Sequence, residues 1–324
     1  MPSTLPAPWS WRPPVPSRLE KPVSLLRLDG PDSRRFLHGQ TSQDLALAPP
    51  GAWRRTCCLT ATARMRALAE VLIDGEGAWL AISCGDAAAV RAAFDRVLYP
   101  ADEVRLGPVQ PGLWLEADGI QVPAAGGRWE ALAEGQGWRL EGGAVLLPAG
   151  APLPAELADR PVLDALEAER WRIARGEPAA PAELNGEVNP FELGLAARVS
   201  LSKGCYLGQE TLAKLATYDG VKQQLRRWHL PVGESAAEGT GAEGEPPTPG
   251  AELRDGDDHR AGLITTVLAL PEGGWIGLAL VRRAALAAPQ LRSPAGAWLE
   301  MSVPEGVQAP PVGAGGQRLD SLRA

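Results

Sequence analysis

Apolar and polar positions along this chain recur with two different periods, and each change of period marks an element. Val23 to Leu28 reads as a strand, and Asp29-Gly30-Pro31-Asp32 then supplies a turn, with Asp32 capping a helix over Ser33 to His38. Ala67 to Asp74 and Ala78 to Ser83 flank Asp74-Gly75-Glu76-Gly77, a hairpin signal because glycine accepts the positive φ of such turns. Asp86 caps the next helix, in which Val90, Phe94, Val97 and Leu98 fall on one face and Pro100 follows the end. Between Gly112 and Leu147, runs such as Leu113-Trp114-Leu115 and Ala144-Val145-Leu146-Leu147 alternate with glycine, the mark of small antiparallel strands. A helix is predicted over Pro161 to Arg175, with Pro161 in its first turn, Val162, Leu166 and Ile173 inward, and Gly176 as its stop. Past Gln224 the helical period is gone. Strands at Leu225 to Leu230, Gly262 to Leu270, Trp275 to Val281 and Trp298 to Val303 form a small all-β domain.

At 324 residues the chain exceeds most single cores, and 45% apolar residues make it globular. The pattern divides it into a proline-rich flexible lead-in at 1–20, a first α+β unit at 21–105, a second at 106–224, an all-β domain at 225–309 and a mobile tail at 310–324. The Gly, Glu, Pro and Ala run at 231–250 is too polar to pack and reads as a disordered insert in that domain. A net charge of -7 argues against direct nucleic-acid binding through the overall field. Arginine pairs such as Arg54-Arg55 and Arg226-Arg227 are candidates for a local basic face or for ordinary solvated surface. No apolar run is long enough to span a bilayer and no secretory signal is visible, so a cytoplasmic location without membrane association is the expectation. The four cysteines, Cys57, Cys58, Cys84 and Cys205, lack the spacing of a zinc or cluster motif, and no metal is expected on this chain alone. Cys57 and Cys58, being adjacent in a strand, point to opposite faces and are poor partners for each other.

Chemistry concentrates in Lys203-Gly204-Cys205-Tyr206-Leu207-Gly208-Gln209-Glu210. Gly204 and Gly208 allow backbone conformations closed to other residues, and a helix follows from Gln209 through Leu215, acid early and Lys214 late. Cys205 lies just ahead of that helix, beside Lys203. Two readings stand: a thiolate stabilised by Lys203 and by backbone N–H groups, or a small apolar residue filling a gap behind a glycine turn.

This segment resembles the signature of the YgfZ family, folate-binding relatives of the glycine-cleavage T-protein that support iron–sulfur proteins. Weaker similarities accompany it at Arg35 to Asp44, at Leu59 to Ile73, at Arg172-Ile173-Ala174-Arg175-Gly176-Glu177-Pro178, at Asn189-Pro190-Phe191-Glu192-Leu193, at Ala261 to Thr265 and at Gly277 to Arg283. The resemblance implies an α+β fold in which two α+β units and a C-terminal β-barrel form a ring, as in aminomethyltransferases. It also implies tetrahydrofolate or a derivative as ligand. Iron–sulfur cluster proteins or assembly factors are the implied partners, with any effect on tRNA modification passing through them. The transferase relatives carry paired aspartates after a glycine pair. Here the matching stretch is Ala63-Arg64-Met65-Arg66-Ala67-Leu68, whose Ala67 and Leu68 cannot accept a proton or stabilise a cation. The alternatives to a folate-binding accessory protein are a one-carbon transferase whose base lies elsewhere and a non-catalytic docking scaffold.

On this reading Cys205 and Lys203 are the candidate chemical residues, with Cys205 near the folate site. A pterin needs a carboxylate or amide edge, which Glu192 and Asn189 supply, and its glutamate tail favours Arg198 or Arg172, with Tyr206 nearby. A surface glutamate and helix arginines explain these residues equally well. Gly204, Gly208, Gln209 and Glu210 would anchor the loop.

Overall fold

The computed structural model describes residues 8–231 and 246–311. In chain order its elements are β1 (Arg18–Asp29), α1 (Ser33–Gln40), β2 (Ala52–Leu59), β3 (Met65–Ile73), β4 (Gly77–Gly85), α2 (Ala87–Asp95), β5 (Arg105–Ala117), β6 (Gly126–Ala131), β7 (Trp138–Leu140), β8 (Val145–Pro148), α3 (Ala155–Ala158), α4 (Ala165–Arg175) and α5 (Gln209–Thr217). The C-terminal strands are β9 (Gln223–Leu230), β10 (Glu252–Arg254), β11 (Arg260–Ala269), β12 (Trp275–Arg282), β13 (Gln290–Arg292) and β14 (Trp298–Ser302). Two sheets close into barrels, in the orders β1-β4-β3-β2-β6-β7-β8-β5 and β10-β11-β12-β9-β14-β13. The class is thus α+β with a C-terminal β-barrel. Residues 105 and 106 open β5, which pairs with β1 over its whole length, so strands from both sides of that expected boundary share one sheet.

Strand alternation decides what faces where. In β3, Ala67, Ala69, Val71 and Ile73 pack outward against Leu37 of α1 and Val90 and Phe94 of α2. The opposite face sends Leu72 into the barrel, where it meets Trp53, Trp114 and Trp138. Glu70 lies on that inward face too. Cys57 and Cys58 divide between the two faces, each in a different apolar cluster.

Several local readings are corrected. α4 starts at Ala165, because Asp164 accepts from the Glu167 N–H (2.8 Å) while Glu167 accepts from the Asp164 N–H (3.0 Å), a capping box that fixes the first turn. Pro161 and Val162 are held instead by β1, through Arg18 N–H to Pro161 O at 2.9 Å and Leu163 N–H to Arg18 O at 2.9 Å, and Val162 is 46% exposed. Gly176 does stop the helix, at φ 68°. Asp32 gives no side-chain cap to α1; its carboxylate binds Arg35 and the Glu103 N–H. α2 ends at Asp95, leaving Val97 exposed. From Pro8 onward the expected lead-in is packed structure, with Trp11 against Arg170 and Trp9 against Arg227. Residues 1–7, 232–245 and 312–324, which carry the rest of the lead-in and most of the insert and tail, lie outside the described residues. Among the described residues, no helix is long and apolar enough to cross a membrane.

Candidate functional site

A cavity of about 500 Å³ occupies the mouth of the first barrel. Lys21, Arg55, Leu68, Glu70, Trp114 and Glu116 rise from the barrel strands, and the last turn of α4, the 194–198 loop, Arg227 of β9 and residues 8–12 complete the walls. Most of its charges are paired. Glu116 accepts from the Trp114 indole N–H at 2.7 Å and from Arg175 at 2.5 Å, and the Arg175 guanidinium lies 4.8 Å from the Trp171 ring. Glu177 faces Arg175 at 3.5 Å and Lys21 at 3.9 Å; burial opposes its charge, but these cations with Arg55 and Arg198 hold the carboxyl below its usual range. Glu70 accepts from Arg198 at 3.1 Å, and Arg55 approaches the same oxygen at 3.5 Å. Burial and then the Arg198 charge bring Arg55 down to about 10.

The Cys205 loop lies elsewhere, against the end of α1. Ser200 N–H donates to Ser42 O at 2.9 Å and Leu207 N–H to Gly39 O at 3.1 Å. The Lys203 ammonium, 3% exposed, donates to the carbonyls of His38, Thr41 (2.7 Å) and Gln43 (2.9 Å), the C-terminal groups of α1 and its continuation, and sits 4.3 Å from the Tyr206 ring. Burial pushes it down to about 7. Gly208 has φ 84°, and a Cβ there would come within 2.9 Å of Thr60 O and 3.0 Å of Ala63 Cα, so the loop needs glycine to rest on the β2–β3 turn. Gly204 needs no positive φ. The Gln209 amide donates to Lys203 O at 3.2 Å, whereas Glu210 is on the exposed face of α5, paired with Lys214 at 2.7 Å. Cys205 itself is exposed, unlike Cys57 and Cys58; burial raises the Cys57 thiol to about 11 and raises Cys58 as well. Among the described residues no three His, Cys, Asp or Glu side chains come together as metal ligands.

Of the residues read from the sequence as folate contacts, only Arg198 lines the cavity. Glu192 is buried and accepts from the Asn189 N–H at 3.0 Å, while the Asn189 side chain accepts from the N–H groups of Phe191 (3.0 Å) and Glu192 (3.1 Å), a closed reciprocal turn. Burial raises the Glu192 carboxyl, against the Asn189 N–H and Arg64. Arg172 is engaged by Glu169 at 2.7 Å and Glu183 at 3.2 Å, and it borders an adjoining hollow of about 610 Å³ together with Cys84. Tyr206 is buried beneath Lys203. What sequence reasoning missed is the barrel mouth: Glu70, Trp114, Glu116, Trp171 and Arg175 as its lining, and Arg55 and Arg227, which the sequence offers only as members of arginine pairs. The available signal was a charge set in an apolar strand, as in Ala69-Glu70-Val71 and Leu115-Glu116-Ala117.

No protein-family model matches the chain. Its sequence is 27% identical over 300 residues to a chloroplastic protein of Arabidopsis thaliana named as an unproven transferase, covering 80% of this chain and 63% of that relative's length. The crystal structure of glycine cleavage system aminomethyltransferase T from Bartonella henselae superposes with a TM-score of 0.69 at 15% identity, over 91% of this chain and 88% of that one. The two barrels and the helices between them therefore have the fold of an aminomethyltransferase T protein.

Proposed function

We propose that this chain is a folate-binding accessory protein that supports assembly or repair of iron–sulfur cluster proteins, and through them tRNA modification. It takes tetrahydrofolate or a derivative in the barrel-mouth cavity and presents Cys205 to partner proteins on its surface. The observation that carries the folate half is Arg227. The residue is 9% exposed, and its guanidinium donates to Ala174 O at 2.7 Å and Ser302 Oγ at 3.0 Å and lies 4.5 Å from the Trp9 ring. No carboxylate among the described residues pairs with it directly; burial lowers it from the ordinary arginine value, and the charge of Glu305 in the same cavity wall only partly offsets this. A buried charge without a direct carboxylate partner is costly, and the glutamate tail of a folate supplies one in bidentate geometry. The indoles of Trp114 and Trp171 give the flat apolar walls that a pterin requires.

The accessory role rests on the Lys203 to Glu210 signature and on Leu68, which lines the cavity where transferase chemistry would place a carboxylate. A second reading, one-carbon transfer with Glu70, Glu116 or Glu177 as the base, is favoured by the name of the Arabidopsis relative. Steady formation of methylene-tetrahydrofolate from a glycine-derived donor would select it; capture of cluster proteins that requires Cys205, without turnover, selects the accessory role. The folate half is tested by isothermal titration of tetrahydrofolate. The wild type binds and Arg227→Gln loses about 2 kcal/mol, roughly 30-fold, as expected for a hydrogen-bonded charge pair; equal affinity would remove the cavity from consideration.

A further inference from the structure

Among the described residues, four buried polar atoms of the cavity's lining residues lack a hydrogen-bond partner; two are Arg55 Nε and Arg170 Nε, whose guanidiniums already face the carboxylates of Glu70 and Glu272, and two remain. The first belongs to Glu70, which is 2% exposed and follows Leu68 by one strand repeat on the inward face of β3; both line the cavity. Its Oε1 is taken by Arg198 at 3.1 Å with Arg55 at 3.5 Å, while Oε2 has no hydrogen-bond partner. The second is the Trp171 indole N–H, a donor with no partner, on the α4 side of the same cavity. The neighbouring carboxylates are not in this position: Glu116 uses both oxygens, and Glu177 faces two cations. Buried polar groups in folded proteins have partners, so the single unfilled acceptor, Glu70 Oε2, and an unfilled neutral donor, the Trp171 N–H, describe groups that a ligand in this cavity would complement.

A planar heterocycle of the 2-amino-4-oxopyrimidine type brings both. Its amino group and adjacent ring N–H form a donor edge that a carboxylate accepts, and its carbonyl and ring nitrogens are acceptors. We propose that Glu70 binds the N–H edge of such a heterocycle and that the Trp171 indole donates to one of its acceptors. Arg198 and Arg55 keep Glu70 in place by holding its other oxygen, so they are positioning residues for this contact. The assignment rests on the folate reading, moves the pterin end from Glu192 to Glu70, and sets it in the same cavity as the tail-binding Arg227.

The test separates the two ends of the ligand. 6-Hydroxymethylpterin carries the heterocycle without a tail and p-aminobenzoylglutamate carries the tail without the heterocycle. Each is titrated by fluorescence or calorimetry into full-length wild type, Glu70→Gln and Trp171→Phe. Glu70→Gln weakens the pterin and tetrahydrofolate at least roughly ten-fold, Trp171→Phe weakens them less, and both variants bind the tail probe as wild type does, which also reports that they fold. Tail and pterin weakening together, or a Glu70→Gln protein that binds pterin normally, would overturn the assignment. A wild type that binds the pterin but not tetrahydrofolate sinks the folate reading and leaves Glu70 standing. Binding of neither sinks both.

Discussion

In the barrel mouth the walls of the cavity come from residues as far apart as Pro8 and Gln308, whereas the Cys205 loop draws its chemistry from eight consecutive positions. The two regions also treat charge differently. The cavity gathers cations and carboxylates into mutual pairs, leaves a polar atom of Glu70 and of Trp171 without a partner, and holds Arg227 without a direct carboxylate partner. The loop spends its one buried cation on backbone: Lys203 closes the carbonyls at the end of α1, and the thiol two residues later is left in solvent. A site that recognises a small molecule needs unfilled partners in an enclosed space, and the first region has them. The proposed role in meeting another protein calls for a thiol held outward on a fixed loop, and the second region has an exposed cysteine there.

Substitutions can break this division. The largest expected effect is Arg227→Gln, with the roughly 30-fold loss in tetrahydrofolate affinity given above and no change in the rate at which Cys205 is alkylated. Next, mass-spectrometric labelling of the native protein should modify Cys205 at least roughly ten-fold faster than Cys57 or Cys58, which are buried with raised pKa. Cys205→Ser should leave folate affinity untouched. If it weakened folate as much as Arg227→Gln, the two regions would be one site.

Lys203 supplies a subtler contrast. Its folded pKa of about 7 lies below the unfolded lysine value of about 10.4, so between those values the unfolded chain holds the extra proton. The stability of wild type relative to Lys203→Met should therefore rise from pH 7 toward pH 10, read by urea unfolding at each pH. A flat difference would contradict the buried clamp. The smallest effect belongs to the N-terminal segment. Trp9→Ala with Trp11→Ala removes two cation–π contacts, each about 0.5–2 kcal/mol, from the cavity wall, and should weaken tetrahydrofolate a few-fold with no effect on Cys205 labelling.

The same contrast explains what could be read from the sequence. The strands and helices were legible because period-two and helical patterns are local, and the glycine stop at Gly176 and the hairpin at Gly75 are written in single residues. The Cys205 loop was legible for the same reason. Lys203 was read as a partner for the thiol, whereas the structure gives it to the α1 carbonyls, a choice that depends on where α1 ends in space. Glu192 was read as a pterin contact because it is a carboxylate on the Asn189 to Leu193 segment; its Oε2 is taken by the Asn189 N–H of that segment. Glu70 carried no signal as a site residue and Arg227 was legible only as one of an arginine pair, a local basic face or ordinary surface, since only closure of the first barrel and docking of β9 against α4 bring them to one cavity.

The central claim is that a folate lies in the barrel mouth. A crystal structure of the protein soaked with tetrahydrofolate tests it most directly. The account predicts the pterin between the Trp114 and Trp171 walls with its N–H edge on Glu70 and the glutamate tail on Arg227; density for the pterin beside Glu192, or a ligand bound outside the barrel mouth, would contradict it.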